Sequence, residues 1–89
     1  MARARLKLPA GLVGTFGRRE LECDGVTVRE ALQDCVVREP RLKPRIFRDD
    51  GEAWVGIFLN GRNVRLGDGM DSPLSDGDEI RLMAPIAGG

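Results

Sequence analysis

The stretch "WVGIFLNGRNV" at 54–64 limits the folding options more than any other part of the chain. It is a run of strand-forming residues that meets Asn60-Gly61, the dipeptide best suited to a two-residue type I′ turn, in which both central residues need positive φ. A hairpin is therefore expected here, with Val55, Ile57 and Leu59 on one face of its first strand and Trp54, Gly56 and Phe58 on the other. That strand is apolar on both sides. A sheet packed on one face only would leave Trp54 and Phe58 for something else to cover.

Other strands follow by the same period. "ARLKL" places Ala4, Leu6 and Leu8 opposite Arg3, Arg5 and Lys7, the pattern of a half-buried strand. "PAGLVGTFG" then punctuates a long loop with Pro9, Gly11, Gly14 and Gly17, and "RRELEC" resumes with Leu21 and Cys23 on one face. The glycine spacing does not match G-x-G-x-x-G and no helix pattern starts at its end, so a plain loop is expected rather than a phosphate cradle. "TVRE" at 27–30 is a capping box, and Val28, Ala31, Leu32, Cys35 and Val36 form one apolar helical stripe. Pro40 and Pro44 end the helix and hold "REPRLKPRIFRDDG" in irregular structure or short turns, anchored by Leu42, Ile46 and Phe47. Its Arg38, Arg41, Lys43, Arg45 and Arg48 read either as a solvated connection or as a docking rim for an acidic partner. "MDSPLSDGDEIRLMAP" supplies a turn-rich connection with Leu74 as its only strong apolar anchor. It ends in a strand with Ile80 and Leu82 inward and Arg81 and Met83 outward.

The order strand, strand, helix, strand, short strand, last strand gives an α+β domain, with one main helix on one face of a mixed sheet. This is the ubiquitin-like β-grasp layout. With 89 residues, one domain is expected over 1–84 and an extended, flexible Gly-Gly tail over 85–89. At this size folding buries only about 60% of the surface that the unfolded chain exposes, which favours a carrier or binding module over a self-sufficient enzyme.

Composition removes several function classes. Histidine is absent, and with it the usual general base and commonest metal ligand. Cys23 and Cys35 lack metal-site spacing and read as buried thiols of a reducing compartment, the alternative being one disulfide in a secreted protein. The N-terminal segment has no apolar run of signal-peptide length, and no stretch is long enough to span a membrane, so a soluble, cytoplasmic chain is expected. Residues 1–48 carry eleven Lys or Arg against six acids, and 49–89 carry three against eight. Without a basic patch interleaved with aromatics, this asymmetry points to one basic and one acidic face and not to nucleic-acid binding.

The Asn60-Gly61 hairpin after "VGIFL", the turn "LSDGDEI" at 74–80 and the ending "PIAGG" at 85–89 together resemble the small sulfur-carrier proteins of the MoaD/ThiS type, over essentially the whole chain. The "P-x-A-G-G" form is closer to the molybdopterin and cysteine-pathway carriers than to the thiamine type. The resemblance implies that the carboxylate of Gly89 is adenylated by a ubiquitin-activating-like enzyme. That partner consumes ATP and magnesium, while the carrier binds no cofactor or metal of its own. A sulfur donor then displaces AMP, and the thiocarboxylate so formed delivers sulfur to a synthase or large subunit making molybdopterin, cysteine or a thio-metabolite. On this reading the protein is a co-substrate and not an enzyme. Two alternatives stay open: a modifier forming isopeptide bonds through Gly89, and a β-grasp interaction module whose tail is chemically idle.

The residues themselves fit such a role. Residues 85–89 reach at most about 17 Å when extended. Pro85 stops strand continuation, and Ile86, Ala87, Gly88 and Gly89 taper to almost no side-chain bulk, which suits a narrow tunnel in a partner. Phe58 and Met83 are expected on the sheet face away from the helix, as a partner-binding surface. Trp54 is expected either to join them or to lie under a loop.

Overall fold

Small apolar residues alternating with cations make Ala2–Lys7 a strand (β1), with Ala2, Ala4 and Leu6 buried and Arg3 and Arg5 in solvent. Glu20–Gly25 (β2) pairs with it antiparallel, in register from Ala2 opposite Gly25 to Lys7 opposite Glu20. The computed structural model describes residues 1–9, 17, 19–53 and 55–83. The expected loop glycines Gly11 and Gly14 therefore lie outside the described residues.

The helix α1, Val28–Arg38, starts where the capping box places it. Thr27 Oγ1 accepts from the Glu30 amide at 3.3 Å. Glu30 reaches back one residue further than the ideal box, its Oε1 accepting from the Val26 amide at 3.1 Å. Val28, Ala31, Leu32 and Cys35 are fully buried on the expected stripe, and Val36 packs at its edge. Beyond it the proline-rich connection forms a 3₁₀ turn at Pro40–Leu42 and one helical turn, α2, at Lys43–Ile46, which sinks Leu42 and Ile46 into the core. Pro44 is tolerated because it sits in the first turn of α2, where its missing N–H has no intrahelical partner to lose.

Gly56–Leu59 (β3) and Arg62–Asn63 (β4) form the hairpin, with Asn60 at φ 51° and Gly61 at φ 86° as a type I′ turn requires. The connection that follows contains two 3₁₀ turns, Val64–Leu66 and Gly69–Asp71. Within 70–83 Leu74 is not the only apolar anchor before the strand, since Met70 also packs against the core. The last strand, Glu79–Met83 (β5), enters the centre of the sheet, giving the order β2-β1-β5-β3-β4. It runs parallel to β1 and antiparallel to β3. With α1 packed on one face, this is a ubiquitin-like β-grasp.

The core lies between α1 and the inner sheet face, where Leu6, Cys23, Leu32, Leu42, Ile46, Ile80 and Leu82 are the largest buried side chains along with Val28 and Cys35. Each buried Leu, Ile or Val contributes roughly 1.5–3 kcal/mol. Both cysteines are free, buried thiols. They face each other between β2 and α1, and the hydrogen bond to Cys23, together with burial, pushes the Cys35 thiol well above its ordinary range. A neutral, shielded thiol is a core hydrophobe and not a nucleophile.

Candidate functional site

The residues that carry the expected chemistry follow β5 in the sequence, and β5 is fixed at its start by turns from elsewhere in the chain. Asn60 does much of this. Its backbone N–H donates to the Glu79 carbonyl at 2.8 Å, its Oδ1 accepts from the Glu79 amide at 2.9 Å, and its Nδ2 donates to Asp78 Oδ1 at 3.0 Å. Asp78 Oδ2 in turn accepts from the Ser75 amide at 2.8 Å, and Asp76 Oδ1 accepts from the Arg3 amide at 2.8 Å. The Asn60-Gly61 and Asp76-Gly77-Asp78 turns, far apart in the chain, are thus bonded together at the start of the central strand. They set its register against β1 and β3, and so where its far end emerges.

On the outer sheet face, away from α1, that far end is apolar. Gly56 stands opposite Met83 and Phe58 opposite Arg81 across the β3–β5 pair. Met83 is 46% exposed and Phe58 half-buried. Both border Gly56: a Cβ built there would lie 3.5 Å from Met83 Cβ and 3.8 Å from a Phe58 ring carbon. A phenylalanine, a methionine and a glycine ledge therefore form one corner at the end of β5. Gly56 carried no role in the sequence reading, although a glycine inside a strand marks places where another group approaches the backbone closely.

The remainder of this face is charged and largely self-paired. Lys7 Nζ lies 3.1 Å and Arg81 Nη2 3.6 Å from the two oxygens of Glu79, and the hydrogen bond from Lys7 holds the Glu79 carboxyl below its usual range. Arg3 bridges Glu22 and Asp24. Phe58 and Met83 are thus placed together on the outer face as expected. Trp54, Pro85, Ile86, Ala87, Gly88 and Gly89 lie outside the described residues, as does the 84/85 boundary. Among the described residues no group of three or more His, Cys, Asp or Glu is arranged to hold a metal ion, and no helix is long and apolar enough to cross a membrane.

The model of the ThiS family matches residues 6–89, nearly the whole chain and the end of β5 with it. The chain belongs to the ThiS family. It is 35% identical to small archaeal modifier protein 1 of Haloferax volcanii, over 93% of this chain and 97% of the relative. It is also 30% identical to a putative sulfur carrier protein of Archaeoglobus fulgidus, over 96% and 97%. The solution structure of small archaeal modifier protein 1 from Methanosarcina acetivorans superposes with a TM-score of 0.88 at 33% identity, covering 100% of this chain and 98% of that one. This ThiS-family protein is a small carrier or modifier of the ubiquitin-like kind, and not a catalyst in its own right.

Proposed function

We propose that the protein is a sulfur carrier whose working group is the carboxylate of Gly89. A carboxylate resists attack because its charge repels nucleophiles and oxide is a poor leaving group. An activating enzyme of the ubiquitin-activating kind would convert it to an acyl adenylate at the expense of ATP, releasing pyrophosphate. A sulfur donor then displaces AMP and leaves a thiocarboxylate, a soft nucleophile that carries sulfur to a biosynthetic acceptor without free sulfide. The apolar corner of Gly56, Phe58 and Met83 supports this reading most directly, because it offers a partner a binding surface at the end of the strand that precedes the tail. The tail itself can extend about 17 Å into that partner's active site.

The test is the intact mass of the protein after incubation with ATP, magnesium, the matched activating enzyme and sulfide. The expected product has one oxygen replaced by sulfur, and deletion of Gly89 abolishes it while cooperative unfolding is unchanged. Adenylation with no sulfur uptake, together with covalent attachment to lysines of other proteins, would instead assign the chain to the modifier reading. The likeness to the Haloferax volcanii modifier protein favours that second reading.

A further inference from the structure

A second surface lies on the opposite side of the molecule. The solvent side of α1 and the turn of α2 enclose an open channel, lined by Arg29, Gln33, Val36 and Val37 from α1 and by Lys43, Pro44, Phe47, Arg48, Asp49 and Gly51 beyond it. Its floor is apolar, and Val37 stands 78% exposed beside it. Around that floor three cations face one carboxylate. Two of the cations hold only loose, solvent-exposed partners: Arg29 to Asp71 at 3.6 Å and Arg48 to Asp50 at 4.0 Å. Lys43 has no ion-pair partner among the described residues. Arg45, on the same turn, adds a further exposed positive charge.

We propose that this channel docks a short segment of a partner protein in which apolar side chains are flanked by Asp or Glu. The apolar floor supplies the contact area, and the excess positive rim selects acidic segments and repels basic ones. The channel is on the helix layer and the Gly56–Phe58–Met83 corner on the outer sheet face, so one partner can hold the channel while another receives the tail. This gives the carrier a way to be retained by an assembly through a contact that leaves its reactive end free.

The experiment uses the full chain labelled with nitrogen-15 and two synthetic peptides of about twelve residues. The peptides share the same Leu and Phe positions, with Asp and Glu between them in one and Lys in the other. The acidic peptide is expected to shift amides within 28–38 and 43–51, to bind more weakly as salt rises, and to lose about tenfold in affinity in Val37→Asp and in Lys43→Glu. Both positions are exposed, so each variant should keep the parent spectrum elsewhere. Equal binding of the two peptides, shifts centred on Phe58 and Arg81, no shift with either peptide, or undiminished binding by both variants would each overturn the proposal. None of these readouts requires charging of Gly89, so they stand apart from the test of the sulfur-carrier reading.

Discussion

The outer sheet face is built from opposite materials at its two ends. Around β1 and β2 several charged groups are paired within the chain: Arg3 bridges Glu22 and Asp24, Lys7 pairs with Glu79, and α1 reaches round the edge to bond β2. Asp34 Oδ2 accepts from the Asp24 amide at 2.8 Å, while Arg38 donates to the Glu22 carbonyl at 3.2 Å and pairs with Asp24 at 3.0 Å. These are the outward-facing backbone groups of an edge strand, which would otherwise invite another strand to pair. At the β3–β5 corner Met83 is exposed and Gly56 and Phe58 are half-buried, so apolar surface remains there. The edge backbone of one end is bonded by its own side chains, and the other end is apolar. On the proposed function the less paired corner is the surface a partner would use.

Two glycines sharpen this contrast most. At Gly25, in β2, an added Cβ would meet the Ala31 amide nitrogen at 2.5 Å and Glu30 Cβ at 2.8 Å. Gly25→Ala is therefore expected to cost roughly 3 kcal/mol, the upper end of overpacking, because the obstacle is helix backbone. At Gly56 the nearest atom is 3.5 Å away, an ordinary contact, so Gly56→Ala should leave the melting temperature unchanged or slightly raised. Parallel thermal melts decide it, and equal losses in both variants would break the comparison.

Phe58→Asp comes next. It should weaken binding to the activating enzyme by about 2 kcal/mol, roughly thirtyfold, while the domain still unfolds cooperatively. Titration calorimetry beside a urea melt separates the two effects, and a collapse of stability would move Phe58 from the interface into the core. Arg38→Ala should do the reverse on a smaller scale. It leaves the Glu22 carbonyl uncapped at a cost of about 0.5–1 kcal/mol and leaves partner affinity unchanged.

The smallest effect is on pH dependence. The hydrogen bond from Arg3 holds the Asp24 carboxyl below the usual carboxylate range, and that from Lys7 does the same for Glu79. Both groups bind fewer protons folded than unfolded. Their contribution is therefore present above about pH 4–4.5 and is lost as the pH falls through their depressed values. Melts from neutral to acid pH should show a shallower decline for Asp24→Asn than for the parent, and an identical decline would mean that this pair adds nothing.

Much of the fold is legible in the residues alone. The period of "ARLKL" turns Ala4 and Leu6 inward, the capping box starts α1, and Asn60-Gly61 demands positive φ at both positions. All three are set by neighbours along the chain, whose geometry the residue types dictate directly. The pairing of Asn60 with Asp78 is not legible in that way, nor is the insertion of β5 between β1 and β3. Nor does the sequence show that Asp34 and Arg38 seal the β2 edge. Residues 18 apart can be named as two separate turns, but only the folded register brings them to 3.0 Å.

By itself the sequence determined which side of each strand and of α1 is apolar, where the turns fall, and that Phe58 and Met83 share a face. Only the tertiary structure decided that Gly56 joins them, that α1 bonds the β2 edge at the opposite end, and that Val37 stands over a basic channel. Alternation depends on one chain's backbone, whereas a surface is made by elements that meet, and their order in the sheet is settled by which faces must be buried together.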